Sequence, residues 1–510
     1  MTPQASLDQT PWPAPFGAAF VCMTPFSPEP QRELIVLSDF HLGRGKNLES
    51  GRFWALEAFF YDNDFLAFVR WLISSAVGIE PMPRLIFNGD TFDLLRVEPE
   101  SVGERAPAYL TPDQATRTLE RILQGHPTFV AGLAEALVAG LTVVFLPGNH
   151  DIELQWAPVQ TVLRDAVAAA VSAQGGDGAQ VVGQLLSFRP WFYYEPGRVW
   201  IEHGCQYDPE NAFRWYLRGD LAAVDADDTE VDQPLGNFFQ RYLYNGFGAI
   251  TFMVPSSRAN FRYGRWLLLN NPGLLVRAAT RHLPFAIRWL RRIALRKLQP
   301  PNALPQVHAA ELAALAESSG LGDHLHRIEA HKQLRGDVVA AVQSITRNLL
   351  RAMLIAVLGT LMVAALWFQA LDLLQTAQLG LAAKTMWFVA MTFLFFSGLT
   401  AGGMLLLLRD RPADEPNPLP EAAARIAAQI GVPLVAFGHT HDETVTRLNQ
   451  PTSRGWYYNT GTWIAVFTHD VLLPRDRVQY TFLRIRRQEG ELLSWQPTRG
   501  DPIEVVLLDE

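Results

Sequence analysis

Five times in this chain a short, β-prone apolar run stops at a polar motif, and no other feature restricts the fold as much. Leu34 to Leu37 precedes Ser38-Asp39-Phe40-His41, Leu85 to Phe87 precedes Asn88-Gly89-Asp90, and Thr142 to Leu146 precedes Gly148-Asn149-His150-Asp151. Val199 to Ile201 leads to Glu202-His203-Gly204, and Leu434 to Phe437 leads to Gly438-His439-Thr440-His441. Runs of this length read as buried strands, and intervening stretches such as Phe129 to Ala139 read as helices, so the pattern predicts an α/β chain. In such sheets ligands gather beyond the strand ends, where all five motifs fall. Later strands are predicted at Trp456 to Asn459 and Gln479 to Arg486, with a turn at Glu489-Gly490-Glu491 leading into Leu492 to Trp495. The Asn459-Thr460-Gly461-Thr462-Trp463 stretch reads either as a border of the site or as a tight turn.

Taken singly, each motif is a common turn sequence. Jointly, Asp39, His41, Asp90, Asn149, His203, His439 and His441 supply carboxylate, amide and imidazole donors, the ligand types of divalent Mn, Fe or Zn. A shared carboxylate can bridge two such ions, which can clamp a phosphoryl group and activate water near neutral pH. Cys22 and Cys205 are the only cysteines. They are too few for a disulfide framework, which suits a reducing compartment.

In their order, Asp39-x-His41, Gly89-Asp90-x-x-Asp93, Gly148-Asn149-His150-Asp151, His203-Gly204 and Gly438-His439-x-His441 resemble the calcineurin-like metallophosphoesterase family. The resemblance runs from about Glu33 to Gly204 and resumes from about Pro433 to Phe467. It implies a four-layer α/β/β/α sandwich holding two divalent metal ions. Asp39, His41 and His441 would hold the first ion, Asp90 would bridge, and Asn149, His203 and His439 would complete the second. His150 would bind phosphate or protonate the leaving oxygen, Asp151 would orient it, and Asp93 would hydrogen-bond a ligand. The motif set is also similar to that of bacterial UDP-2,3-diacylglucosamine pyrophosphatase-type members, whose main branch carries arginine where this chain has His150. The implied activity is hydrolysis of a phosphodiester or pyrophosphate bond, with a phosphorylated or lipid-linked substrate. The alternative is an inactive membrane scaffold or lipid-binding protein that keeps the fold.

At 510 residues the chain exceeds one ordinary core, and the motifs divide it. Residues 1–30, without Lys or Arg, read as an irregular leader; 31–204 and 411–510 form the two parts of the phosphoesterase domain. Between them lie a basic helical insert, 205–345, and a hairpin, 346–410, with two uncharged runs, Ala352 to Leu371 and Thr385 to Leu408, of bilayer-spanning length. Ligands on both sides of the runs demand an even number of crossings. Arg347, Arg351, Arg409 and Arg411 at the outer ends predict a two-helix membrane protein with its catalytic domain in the cytoplasm. Gly398 and Gly402 form a small-residue pair for helix packing, which leaves the oligomeric state open. From Arg258 to Lys297 the insert alternates basic residues with Trp266, Phe285 and Trp289, which suits contact with membrane lipid. Nucleic acid is not an expected partner, since the formal net charge is -8 and no reading module accompanies the patch.

Overall fold

The computed structural model describes residues 31–98, 110–219, 233–242, 244–246, 304–334, 364–408, 417–449, 454–466 and 478–505, with isolated positions between 266 and 362. It is a mixed α/β structure with two mixed sheets. The first contains β1 (Leu34–Leu37), β2 (Arg84–Asn88), β3 (Thr142–Leu146), β4 (Leu186–Phe188), β10 (Thr481–Arg486), β11 (Glu489–Gln496) and β12 (Asp501–Glu504), in the order β12-β11-β10-β1-β2-β3-β4. The second contains β5 (Phe192–Glu195), β6 (Val199–Glu202), β7 (Leu434–Phe437), β8 (Glu443–Asn449) and β9 (Arg454–Thr460), in the order β5-β6-β7-β9-β8. All five predicted motif-bearing strands are present. β1, β2 and β3 lie side by side and parallel, as do β6 and β7, so their C-terminal motifs emerge at the same ends of the sheets.

The runs are apolar throughout because both faces of each strand are covered, and alternate residues serve different cores. Leu34 and Val36 of β1, Ile86 of β2 and Val144 of β3 share one buried cluster with Val199 and Ile201 of β6 and Leu434 and Ala436 of β7. Their neighbours Ile35, Leu85, Phe87 and Phe145 pack instead among residues of the helices α1 (Asp62–Ser75), α2 (Pro112–Gly125), α3 (Pro127–Val138), α4 (Ala157–Ala173) and α5 (Gly178–Leu185). Val435 and Phe437 pack with Ala422 and Ile426 of the helix Leu419–Ile430.

The predicted turn at Gly490 is displaced. Residues 487 and 488 make the turn, and Gly490 pairs with Ile485 inside the β10–β11 ladder. Glycine is needed there for close approach: a Cβ would stand 2.8 Å from the Tyr458 ring, whose hydroxyl donates to the Gly490 carbonyl at 2.9 Å.

The membrane hairpin, and the multi-pass localisation built on it, must be corrected: among the described residues no helix is long and apolar enough to cross a membrane. Lys384, in the helix Leu381–Leu408 that carries the second run, donates to the Gln375 carbonyl at 2.8 Å. Arg351, Arg409, Arg411, most of the basic patch and the leader lie outside the described residues.

The loop from β1 to α1 is fastened by a buried charge cluster. The Glu57 carboxylate accepts from the backbone amides of Gly43, Gly45, Ala58 and Phe59. His126, at the α2–α3 junction, sits 3.5 Å from Glu57 Oε2 and 3.0 Å from Asp62 Oδ1. Burial alone would lower the imidazole; its hydrogen bonds to Asp62 and Glu57 outweigh that and raise it to about 9. The sign follows from linkage: a pKa raised on folding stabilises fully below the ordinary histidine value and is lost as pH rises through about 9. That contribution is on the order of 3 kcal/mol. Urea unfolding of wild type should therefore weaken between pH 7 and 10, whereas His126→Gln should be less stable at pH 6 and lose less stability across that window. Equal slopes for the two chains would remove the cluster from the stability account.

Candidate metal centre

Beyond the strand ends the motif side chains meet in three overlapping groups that can hold a metal ion: Asp39, His41 and His441; His41, Asp90 and His150; Asp90, His203 and His439. Each ligand-bearing turn is held tightly. Gly89, at φ +82, lies so close to His203 that a Cβ would stand 2.5 Å from its ring. The Asp39 carbonyl accepts from Thr462 Oγ1 at 2.7 Å and from the Trp463 amide at 3.2 Å, so the Asn459-to-Trp463 segment borders the site through the backbone of a ligand. His439 N donates to Asp39 Oδ2 at 3.1 Å, tying the last motif to the first.

Backbone strain is concentrated on the same residues. The described non-glycine residues with positive φ are Asp39, His41, Asp90, His439, His441, Tyr480 and Arg487. Five of these seven are in the predicted ligand set, and each such conformation costs about 1–3 kcal/mol. Strain of this kind persists only where the surroundings over-determine it.

The donors fit cations on the chemistry of their lone pairs. His203 Nδ1 faces the Asn88 carbonyl at 3.0 Å and must donate, which leaves Nε2 directed at Asn149 Oδ1 and Asp90 Oδ2, each 3.3 Å away. His41 Nδ1 lies 3.3 Å from Asp93 Oδ2, and its Nε2 lies 3.0 Å from His441 Nε2. His441 Nε2 is in turn 3.3 Å from Asp39 Oδ1, and His41 Nε2 is 3.8 Å from Asp90 Oδ2. Ligands about 2.1 Å from one ion stand about 3.0–3.4 Å apart, so the separations of 3.0 and 3.3 Å suit a shared cation. Without one, a proton must separate the electron pairs. His203 shows it: burial would lower the ring, yet the charges of Asp90 and Asp39 raise it to about 10.

His150 is held by Asp93, not by Asp151. Its Nδ1 lies 3.0 Å from Asp93 Oδ1, while Asp93 Oδ2 serves His41 and Arg96 Nε at 3.3 and 3.0 Å. Asp151 is fully buried and accepts backbone amides from Gly148, Asp90, Thr91 and Phe92 at 2.6 to 3.1 Å. The orienting role expected of Asp151 is therefore corrected: four amide donors take up its two oxygens, and what it shapes is the Gly89-Asp90 turn. His150 also lies within ligand distance of His41 and Asp90.

Sequence reasoning missed two contributors from beyond His203. Asp208 Oδ2 lies 2.9 Å from His439 Nε2; with that nitrogen donating, the lone pair is left on Nδ1. Asn237, on α6 (Leu235–Tyr242), touches Asn149. Asp208 was within reach of inspection, five places after His203, whereas nothing in the sequence around Asn237 marks it. Compared with known proteins, the chain matches no family model and no curated protein.

Proposed function

We propose that this chain is a metal-dependent phosphoesterase that hydrolyses a phosphodiester or pyrophosphate bond with two divalent ions, Mn, Fe or Zn. The observation that carries the reading is the convergence of seven buried donors, five of them on strained backbone, beyond the ends of adjacent strands. The packing of the two sheets, with a shared cluster between them and helices against their other faces, supports the four-layer sandwich the motif resemblance implies.

Bound there, divalent ions would supply Lewis-acid stabilisation of phosphoryl charge and an activated water nucleophile. The chain's own residues do the rest. Asp39, His41 and His441 would hold one ion, Asn149, His203 and His439 the other, and Asp90, which belongs to two of the donor groups, would serve both. Burial would lower the His150 imidazole, but the carboxylates of Asp93 and Asp90 outweigh it and hold the ring above its ordinary value. A ring whose protonated form is favoured in this way, and which is fixed by Asp93, suits protonation of a leaving oxygen. An inactive scaffold would give no reason to maintain strain at five ligand positions.

Metal analysis coupled to hydrolysis of bis-p-nitrophenyl phosphate and of pyrophosphate-linked substrates tests the proposal. We expect two ions per chain, turnover that chelation abolishes, and its return on adding Mn²⁺. Two bound ions without hydrolysis of either bond class would leave the scaffold reading in place.

A further inference from the structure

An asparagine ligand poses a problem that a carboxylate does not. Its two terminal atoms are alike in size, but only the oxygen can face a cation; a half-turn of the amide presents N–H groups instead. The structure fixes that choice through α6, and the chain of inference starts from a main-chain atom that can only accept. The Asn149 carbonyl lies 2.8 Å from one terminal atom of Asn237, which must therefore be Nδ2. The other terminal atom of Asn237 is then Oδ1, and its neighbour on Asn149, 3.2 Å away, must be Nδ2. Asn149 Oδ1 is left facing His203 Nε2 at 3.3 Å, on the side of the Asp90, His203 and His439 group. Asn211 Oδ1 repeats the arrangement at 3.5 Å, its own amide set by donation to Asp208 Oδ2 at 2.6 Å.

Asn237 is itself well placed to act this way. Its side chain is buried, and α6 is docked by Arg241 Nη1, which donates to the carbonyls of Leu95 and Val97 at 2.8 and 3.2 Å, close behind the Asp90 turn. At the start of the helix, the Gly236 amide donates to the Glu210 carbonyl at 2.8 Å. We propose that Asn237 is a positioning residue that locks the amide of Asn149 with its oxygen toward the metal, making α6 part of the second metal pocket. This rests on the metal-dependent reading of the site and deepens it: the segment after His203 helps to build the centre.

The test is calorimetric titration of the full-length, chelator-treated chain with Mn²⁺, comparing wild type, Asn237→Leu, Asn149→Asp and the double variant. Asn237→Leu should leave one ion at wild-type affinity and weaken the other by about 10–100-fold, the usual cost of losing an outer partner of a ligand. Aspartate at 149 has two oxygens and no wrong orientation, and it would face Asn237 Oδ1 with like charge. In that background Asn237→Leu should leave the weaker affinity unchanged or tighten it. Equal weakening in both backgrounds would mean that Asn237 acts by packing, and unchanged affinities in the single variant would remove its role; either overturns the inference while the metal centre stands. Wild type that binds no Mn²⁺ would instead overturn the metal reading. If Asn237→Leu does not fold, Asn237→Ser, which loses the same amide contacts in a smaller side chain, takes its place in the cycle.

Discussion

Replacing Asp90 with asparagine will abolish hydrolysis and remove at least one metal ion per chain. Asp90 belongs to two of the three donor groups, with Oδ2 standing 3.3 Å from His203 Nε2 and 3.8 Å from His41 Nε2. Its pKa is held well below the usual carboxylate range: burial opposes ionisation, but the surrounding histidines outweigh it. The substituted amide keeps an oxygen to accept from the His150 amide, as Oδ1 does now at 2.8 Å, so the fold should survive. What is lost is the negative charge that offsets two cations and the second oxygen that reaches them. Elemental analysis and phosphodiester turnover on the same preparation check this; full activity with both ions retained would disprove the bridging assignment.

Changing His150 to alanine should act differently. Turnover should fall by about 100-fold or more, the scale of a missing general acid, while metal content stays near wild type. The ring has the placement such a role needs: it is only partly exposed, anchored on Asp93 and perpendicular to the His41 ring at 4.6 Å. Because the acid acts in its protonated form, wild-type turnover should decline as pH rises through the raised His150 pKa, and the variant should lose that limb. Loss of an ion from the variant would instead make His150 a ligand.

The strands and the motif positions were legible because their causes are local. A run such as Thr142 to Leu146, apolar on both alternations, has few uses except a strand covered on two sides, and it spans β3 as observed. The donor set was legible for a similar reason, since the polar residues interrupt apolar runs at fixed places. Side-chain partners were not. Asp151 adjoins His150 in sequence yet turns to backbone amides, while Asp93, from another strand end, takes the imidazole. Sequence neighbours at a tight turn point in divergent directions, and partners are set by how turns from separate strands face one another. The two apolar runs misled because composition over a window of about 20 residues was the sole ground for a membrane span, and among the described residues no helix is long and apolar enough to cross one.

Pairing β10 with β1 has a consequence for how the protein is made. Leu34 pairs with Ile485, and His41 meets His441 across 400 positions of sequence. At roughly 5–20 residues per second, the N-terminal half of the chain waits on the order of a minute after leaving the ribosome before its partners exist. Throughout that interval one edge of β1 offers unpaired backbone groups to any passing strand. A nascent chain halted before His439 would carry five of the seven donors and an open sheet edge. The centre proposed above can therefore close only once its last motif has been made.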